Sequence, residues 1–315
     1  MVIGSGLIGS SIAWRLAQRG ARVTVLESQR YFGESSWAGA GMLSPQGERF
    51  PDAAWQQRAM ESLSLFPAFV DELRRQSGDA IDFSICGAIE IVDGEERVVP
   101  GEAIVNPRDL GAALRTVLRE LDVRLLQYQP AGAIRRAGSR WAVGEIEADV
   151  VIVAAGAWSG ALTVDGVALP ASLPVKGYLL GYACAPGSLT TIRRAGHTYV
   201  LQRADGFTIV GSTEERIGFD TTVDAQIVRE LHGRAAEVWE GLAGRAPDRV
   251  WTGFRPATES QQIYVQPWPQ DPASLWLAYG HFRNGILLAP WTADFVAGAL
   301  VPDRLPVAGQ LASQS

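Results

Sequence analysis

Two cysteines, three histidines and no apolar run long enough to span a bilayer set the first limits on this 315-residue chain. Cys86 and Cys184 lie far apart and lack metal-ligand spacing, which excludes a disulfide framework and a cysteine-based zinc site. His197, His232 and His281 show neither triad nor ligand spacing, and no metal site is expected. Basic blocks are also missing. Lys plus Arg total 28 against 34 for Asp plus Glu, a net charge of -6, which argues against a nucleic-acid partner. The apolar opening lacks a basic start and is interrupted by Arg15 and Arg19, so it does not read as a signal peptide. A cytoplasmic location without a membrane span is the expectation. No internal repeat or low-complexity tract occurs. The length exceeds what one core usually serves, which predicts two domains, interleaved in sequence.

What is present is a glycine fingerprint, Gly4-Ser5-Gly6-Leu7-Ile8-Gly9, followed eighteen residues after Gly9 by Glu27, at the end of Ala21-Arg22-Val23-Thr24-Val25-Leu26. Gly4 suits a tight turn after a strand, Gly6 lets backbone approach a pyrophosphate, and Gly9 lets the next helix lie close to the sheet. The helix N-terminus then offers N–H groups and a positive dipole end to phosphate. Glu27 stands where a carboxylate accepts from a ribose diol and disfavours a 2′-phosphate. The reading is FAD or NAD rather than NADP. Ile8, Ile12 and Leu16 recur at helical spacing and Gly20 marks a stop. Only Met1, Val2 and Ile3 precede the glycines, which makes the first strand unusually short.

Further along, residues 53 to 76 read as a helix with Leu63, Phe66, Phe69, Val70 and Leu73 on one face. Residues 81 to 105 read as short strands, Asn106-Pro107-Arg108-Asp109 opens a second helix, and a strand covers Val123 to Leu126. ADVVIVAA, ending at Ala155, is a β-branched run expected as a strand covered on both faces. Residues 170 to 270 hold strand-like segments separated by Gly, Pro and Asp, an antiparallel second domain. Leu275 to Tyr279, then Gly280-His281-Phe282-Arg283-Asn284-Gly285 and an apolar helix to about Leu300, supply a closing strand, loop and helix.

Four separated stretches together resemble the D-amino-acid oxidase superfamily, most closely glycine oxidase of the thiamine-biosynthesis type. They are GSGLIGSSIAWRLAQRG with Glu27, ESSWAGAGMLSP, VVIVAAGAWSG with PVKG, and GFRPAT with GHFRNGILLAP. The last pair is the most specific, since a generic dinucleotide fold does not require it. The resemblance implies an α/β chain in which an FAD-binding Rossmann-like domain (1-45, 106-160 and 275-315) is interleaved with an antiparallel-sheet substrate domain (46-105 and 161-274). It implies FAD held non-covalently; neither Cys86 nor Cys184 stands where cysteine-linked relatives attach the flavin.

Carried over residue by residue, the resemblance implies that Gly4, Gly6, Gly9, Leu7, Ile8, Glu27 and Ser28 line the adenosine and pyrophosphate end, with Gly156 also contributing to the cofactor site. Ser35 and Ser36 would reach the pyrophosphate, Ala40, Gly41 and Met42 would pass the isoalloxazine, and Ala131 would contact adenine. His281, Phe282, Arg283, Asn284, Gly285, Ile286 and Leu287 would run over the flavin ring. Arg255 would grip a substrate carboxylate through its guanidinium fork, with Arg283 and Tyr199 completing the site. Substrate would lose its α-hydrogen as hydride, so that catalysis is chiefly orientation and electrostatics.

Two departures from the family pattern stand out. Between Val92 and Val98 the chain omits several dozen residues, which shortens the substrate domain. After GFRPAT, the segment Ser260-Gln261-Gln262-Ile263-Tyr264-Val265-Gln266-Pro267 replaces the usual continuation. The leading expectation is an FAD-dependent oxidase of small amino acids, glycine foremost, using O2 and releasing peroxide. A D-amino-acid dehydrogenase that passes electrons to a quinone or carrier, and a flavin-binding protein without amine oxidation, stand as alternatives. Oligomeric state is left open, a homo-oligomer included.

Overall fold

The computed structural model describes residues 1–302; residues 303–315, the end of the expected closing segment, lie outside the described residues. The opening strand is only Val2–Ile3, yet it pairs in parallel with Val151–Val153 on one side and Thr24–Leu26 on the other. Around it a six-stranded sheet runs Tyr264–Trp268, Asp271–Tyr279, Val151–Val153, Val2–Ile3, Thr24–Leu26, Arg124–Leu126. All neighbours are parallel except the antiparallel edge pair Tyr264–Trp268 and Asp271–Tyr279.

The β-branched run forms a shorter strand than its composition suggests. Ala148 belongs to the separate strand Ile146–Ala148, and the parallel strand ends at Val153. The cause is close approach: a Cβ at Gly4 would drive into the carbonyl of Ala154, so Ala154 and Ala155 leave the sheet to pass the glycine turn.

The helices follow their sequence signals. Ala53–Ser77 starts at Asp52, whose carboxylate accepts from the Trp55 N–H at 2.8 Å, and ends at Gly78 in a left-handed conformation. Pro107–Glu120 starts at Asn106, with proline at the first position, where no N–H is needed. Both pack with Leu7–Gln18 and Ala289–Leu300 in one core, where Ile12, Phe66, Leu110 and Val296 are fully buried. The long helix 53–77 therefore shares the core of the parallel sheet, although its sequence position lies in the stretch expected to form the second domain.

A seven-stranded sheet runs Arg249–Thr258, Ser172–Ala183, Phe207–Gly211, Thr198–Gln202, Ile192–Ala195, Ala88–Val92, Glu95–Val99. It is antiparallel, as the texture of residues 170 to 270 predicts, apart from one parallel pair, Ile192–Ala195 with Ala88–Val92. At the shortened stretch the chain turns straight back through Asp93 and Gly94, both at positive φ. That is the tight two-residue hairpin such a dipeptide favours. Two smaller sheets complete the fold. One joins Met42–Leu43, Ala103–Val105 and Phe83–Ile85; the other spans residues 133–168 in five short strands.

Candidate cofactor and substrate site

A cavity of about 370 Å³ opens along the C-terminal ends of the parallel strands and continues to the face of the seven-stranded sheet. Ligands of open α/β sheets bind at this edge. Gly4 and Gly6 form its wall, and the helix Leu7–Gln18 starts there, with Leu7 and Ile8 facing the cavity. Gly9 does not. A Cβ on Gly9 would run into the Gly4 carbonyl, so its task is close packing of helix on strand. The Leu7 N–H donates to Ser36 Oγ at 2.8 Å, which places a hydroxyl at the helix N-terminus. Ser35, from the same four-residue helix Ser35–Ala38, donates its hydroxyl to the Phe254 carbonyl and ties this segment to the large sheet.

Glu27 accepts from the N–H of Ser5 at 2.9 Å and from its hydroxyl at 2.8 Å, which locks the carboxylate onto the glycine turn. Its other oxygen accepts from the Gln29 N–H at 2.9 Å. Ser28, Ala131 and Gly156 line the cavity beside it. Ala40, Gly41 and Met42 follow along the wall, and Gly41 passes the Val105 carbonyl so closely that a side chain there would collide with it.

From the opposite side come His281, Phe282, Arg283, Gly285 and Ile286, but Asn284 and Leu287 point elsewhere. Leu287 is 2% exposed in the core of the parallel sheet, and its carbonyl accepts from Ser62 Oγ at 2.6 Å. Asn284 is buried, turned inward by the 3-10 turn Phe282–Asn284. The His281 ring is also buried, 3.2 Å from Thr292 Oγ1, and burial pulls its pKa down to about 3, so the ring is neutral.

At the large-sheet end, the structure gathers Arg255, Arg283 and Tyr199 with a residue that sequence reasoning missed, Glu48. Arg283 Nε lies 2.8 Å from Glu48 Oε2. Burial raises the Glu48 carboxyl above its ordinary value, against the pull of Arg283, Arg255 and Arg194. Burial alone would lower the Arg283 guanidinium, but Glu48 and Tyr199 hold it above its usual value. Arg255 donates from Nη1 to the Thr213 carbonyl at 3.0 Å and from Nη2 to Ser212 Oγ at 2.7 Å. Burial, then repulsion from Arg283, lowers it, while Tyr199, Glu48 and Glu214 oppose the shift. Its fork lies flat against Gly177, where any Cβ would strike the guanidinium. The Tyr199 ring covers Gly211 in the same way, and burial raises its phenol, so the hydroxyl stays protonated.

The glycine cradle, the carboxylate at the strand end and the cavity that reaches two arginines fit an extended dinucleotide. The family model for FAD dependent oxidoreductase (DAO) matches residues 1–98 and 97–299. The chain belongs to the DAO family of FAD dependent oxidoreductases.

Glycine oxidase of Pseudomonas aeruginosa is 31% identical over 350 aligned positions, covering 98% of this chain and 95% of that protein. The alignment exceeds this chain in length, so the relative carries residues absent here, and the two family-matched stretches meet at Arg97 and Val98, in the strand that follows the Asp93-Gly94 turn. The bifunctional protein ThiO/ThiG of Synechocystis is 30% identical over 97% of this chain and 52% of its own length. The crystal structure of glycine oxidase from Geobacillus kaustophilus superposes with a TM-score of 0.89 at 27% identity, covering 97% of this chain and 95% of that one. Among the described residues of this DAO-family chain, no helix is long and apolar enough to cross a membrane. None of its described His, Cys, Asp and Glu residues group into a metal site.

Besides Glu48, sequence reasoning missed Trp158 and Phe254, which line the cavity and are joined by Phe219. The Phe219 ring stacks on Trp158 at 4.8 Å and meets Phe254 edge-on at 5.3 Å. Trp158 and Phe254 lie within the stretches VVIVAAGAWSG and GFRPAT, but a lone aromatic there does not mark itself as cavity wall. Glu48 sits six residues after Met42 in a loop without periodicity, and only the fold brings it to Arg283.

Proposed function

We propose that this chain is an oxidase of small amino acids, glycine foremost, with FAD held non-covalently by the glycine turn, Glu27, Ser35, Ser36 and residues 40–42. Bound there, FAD would supply two-electron oxidation of the substrate amine to an imine, which hydrolyses to oxo acid and ammonia, with O2 reduced to peroxide. The observation that carries the reading is the charge arrangement at the large-sheet end: two guanidiniums line one cavity with a single carboxylate, Glu48, which is paired with Arg283.

Glu48 neutralises Arg283, and Arg255 is left with the net positive charge and with N–H groups beyond the two that hold Thr213 and Ser212. A single carboxylate complements that charge, and the planar fork receives it in two parallel hydrogen bonds. The same field disfavours an ammonium group, so the substrate amine binds neutral, as loss of hydride from its Cα requires. Tyr199, protonated and buried, can donate a hydrogen bond to the carboxylate without adding charge. Trp158 and Phe254 line the cavity that holds Arg255, with Phe219 packed against both rings, and give it an apolar wall.

The reading is tested by supplying glycine in air and measuring peroxide. Stoichiometric peroxide supports it. Turnover of glycine without peroxide points to transfer of electrons to a carrier instead, and the absence of any turnover points to flavin binding without amine oxidation.

A further inference from the structure

A second cavity, of about 220 Å³, lies behind Gly39, the residue it shares with the cofactor cavity. Its wall carries three arginines, Arg108, Arg203 and Arg249, with Asn106 and one carboxylate, Asp205. Three lines of sequence converge to build it. Arg108 sits in the first turn of the helix Pro107–Glu120, Arg203 at the turn after Thr198–Gln202, and Arg249 at the start of Arg249–Thr258. Aromatic faces orient the guanidiniums: Arg108 lies 4.0 Å over Trp37, and Arg249 lies 5.8 Å over Phe207.

Arg203 is 5% exposed, and its Nη1 has no hydrogen-bond partner. Its Nη2 donates to the Ala40 carbonyl. Two carboxylates whose charge reaches it, Asp82 and Asp109, are hydrogen-bonded to other groups. Asp82 accepts from the Ala204 N–H at 3.0 Å, and Asp109 accepts from the Asp82 N–H and from Asn106 Nδ2, both at 2.9 Å. Among the described residues, none of the three arginines is in an ion pair. Burial pulls the Arg203 guanidinium down to about 10, with Asp82 and Asp109 opposing and Arg108 adding repulsion, so it remains charged at neutral pH. A buried, charged donor without an acceptor is costly, and so are like charges facing one space. The wall itself sets three guanidiniums against the single carboxylate of Asp205, while Asp82 and Asp109 offset part of the Arg203 charge and leave its Nη1 without an acceptor.

We propose that this cavity is a binding site for a small doubly charged oxyanion of the phosphate or dicarboxylate kind, held by Arg203 Nη1 from within and by Arg108 and Arg249 at the mouth. Guanidinium forks match such oxygens geometrically. Occupancy bears on the cofactor cavity through one bond, because the guanidinium that meets the anion also holds the carbonyl of Ala40, on the cofactor wall. The inference depends on these arginines and not on which amine the enzyme oxidises.

The test is calorimetric titration of the FAD-saturated protein with inorganic phosphate, succinate and acetate at constant ionic strength. One saturable site for phosphate or succinate is expected, with the tighter of the two naming the source of the oxyanion. Arg249→Gln, at an exposed position, and Arg108→Gln should each weaken it about tenfold or more, as loss of a charge-assisted bond does. Arg229→Gln, on the exposed face of the helix Ala225–Val238, and Arg255→Ala should leave it unchanged. No saturable binding at about 10 mM, acetate binding as well as the dianions in Arg255→Ala, where the proposed substrate-carboxylate contact is removed, or binding that ignores Arg249→Gln and Arg108→Gln would each overturn the proposal.

Discussion

Arg283 and Glu48 form a partly sequestered ion pair on the cavity wall, Nε to Oε2 2.8 Å, from segments 235 residues apart in sequence, with side chains only 16% and 10% exposed. Breaking such a pair leaves an uncompensated charge away from water. Glu48→Gln and Arg283→Met should each lower unfolding stability, Glu48→Gln by on the order of 3 kcal/mol. The double variant should lose less than the sum, with a coupling above about 1 kcal/mol in a denaturant-unfolding cycle. Additive losses would mean that the two charges do not depend on each other.

Arg255 carries the proposed carboxylate contact. Arg255→Ala should lower kcat/KM for glycine by the equivalent of about 2 to 5 kcal/mol, the cost of truncating one partner of a buried charge pair. Arg255→Lys should recover little of it, since an ammonium keeps the charge without the fork. Steady-state kinetics decide the matter, and an unchanged kcat/KM in Arg255→Ala would retire the role.

Gly177 serves Arg255 by having no side chain. A Cβ at this position strikes the guanidinium, so Gly177→Ala should push Arg255 off its place while leaving the strand Ser172–Ala183 intact. The expected outcome is a loss in kcat/KM of about tenfold or more, with the FAD spectrum retained. Equal activity in Gly177→Ala would show that the fork can shift without consequence.

His281 predicts an acid-sensitive fold. Burial lowers its folded-state pKa to about 3, while an unfolded chain takes up the proton near 6.5. Between those values the unfolded state binds more protons, so the stability this neutral ring contributes is present above about pH 6.5 and is lost as pH falls toward 3. The slope from this group approaches about 1.4 kcal/mol per pH unit. In urea unfolding between about pH 6 and about pH 4, His281→Asn should show a shallower decline than the parent chain. Parallel curves would contradict the assignment.

Much of the fold was legible because its signals are local. The glycine turn, the helix start at Asn106-Pro107 and the apolar face of residues 53 to 76 are written in consecutive residues. Misreadings came where tertiary contact decides. Composition extended the strand before Gly156 as far as Ala155, but it ends at Val153 because Gly4 needs the space beyond. Leu287 reads as part of a loop over the cofactor, yet it is drawn into the core below by its apolar neighbours. Arg255, Arg283 and Tyr199 came from resemblance to a family pattern, while Glu48 became visible only when the loop after Met42 closed against Arg283. The arginine cavity behind Gly39 had no sequence signature, since its three guanidiniums come from three unrelated segments.

The most direct measurement of the central claim is the visible spectrum of the purified protein under nitrogen, before and after glycine is added. The account predicts a yellow protein whose flavin band bleaches with glycine and returns when air is admitted. A flavin band that persists with glycine, and with every other small amino acid, would contradict it.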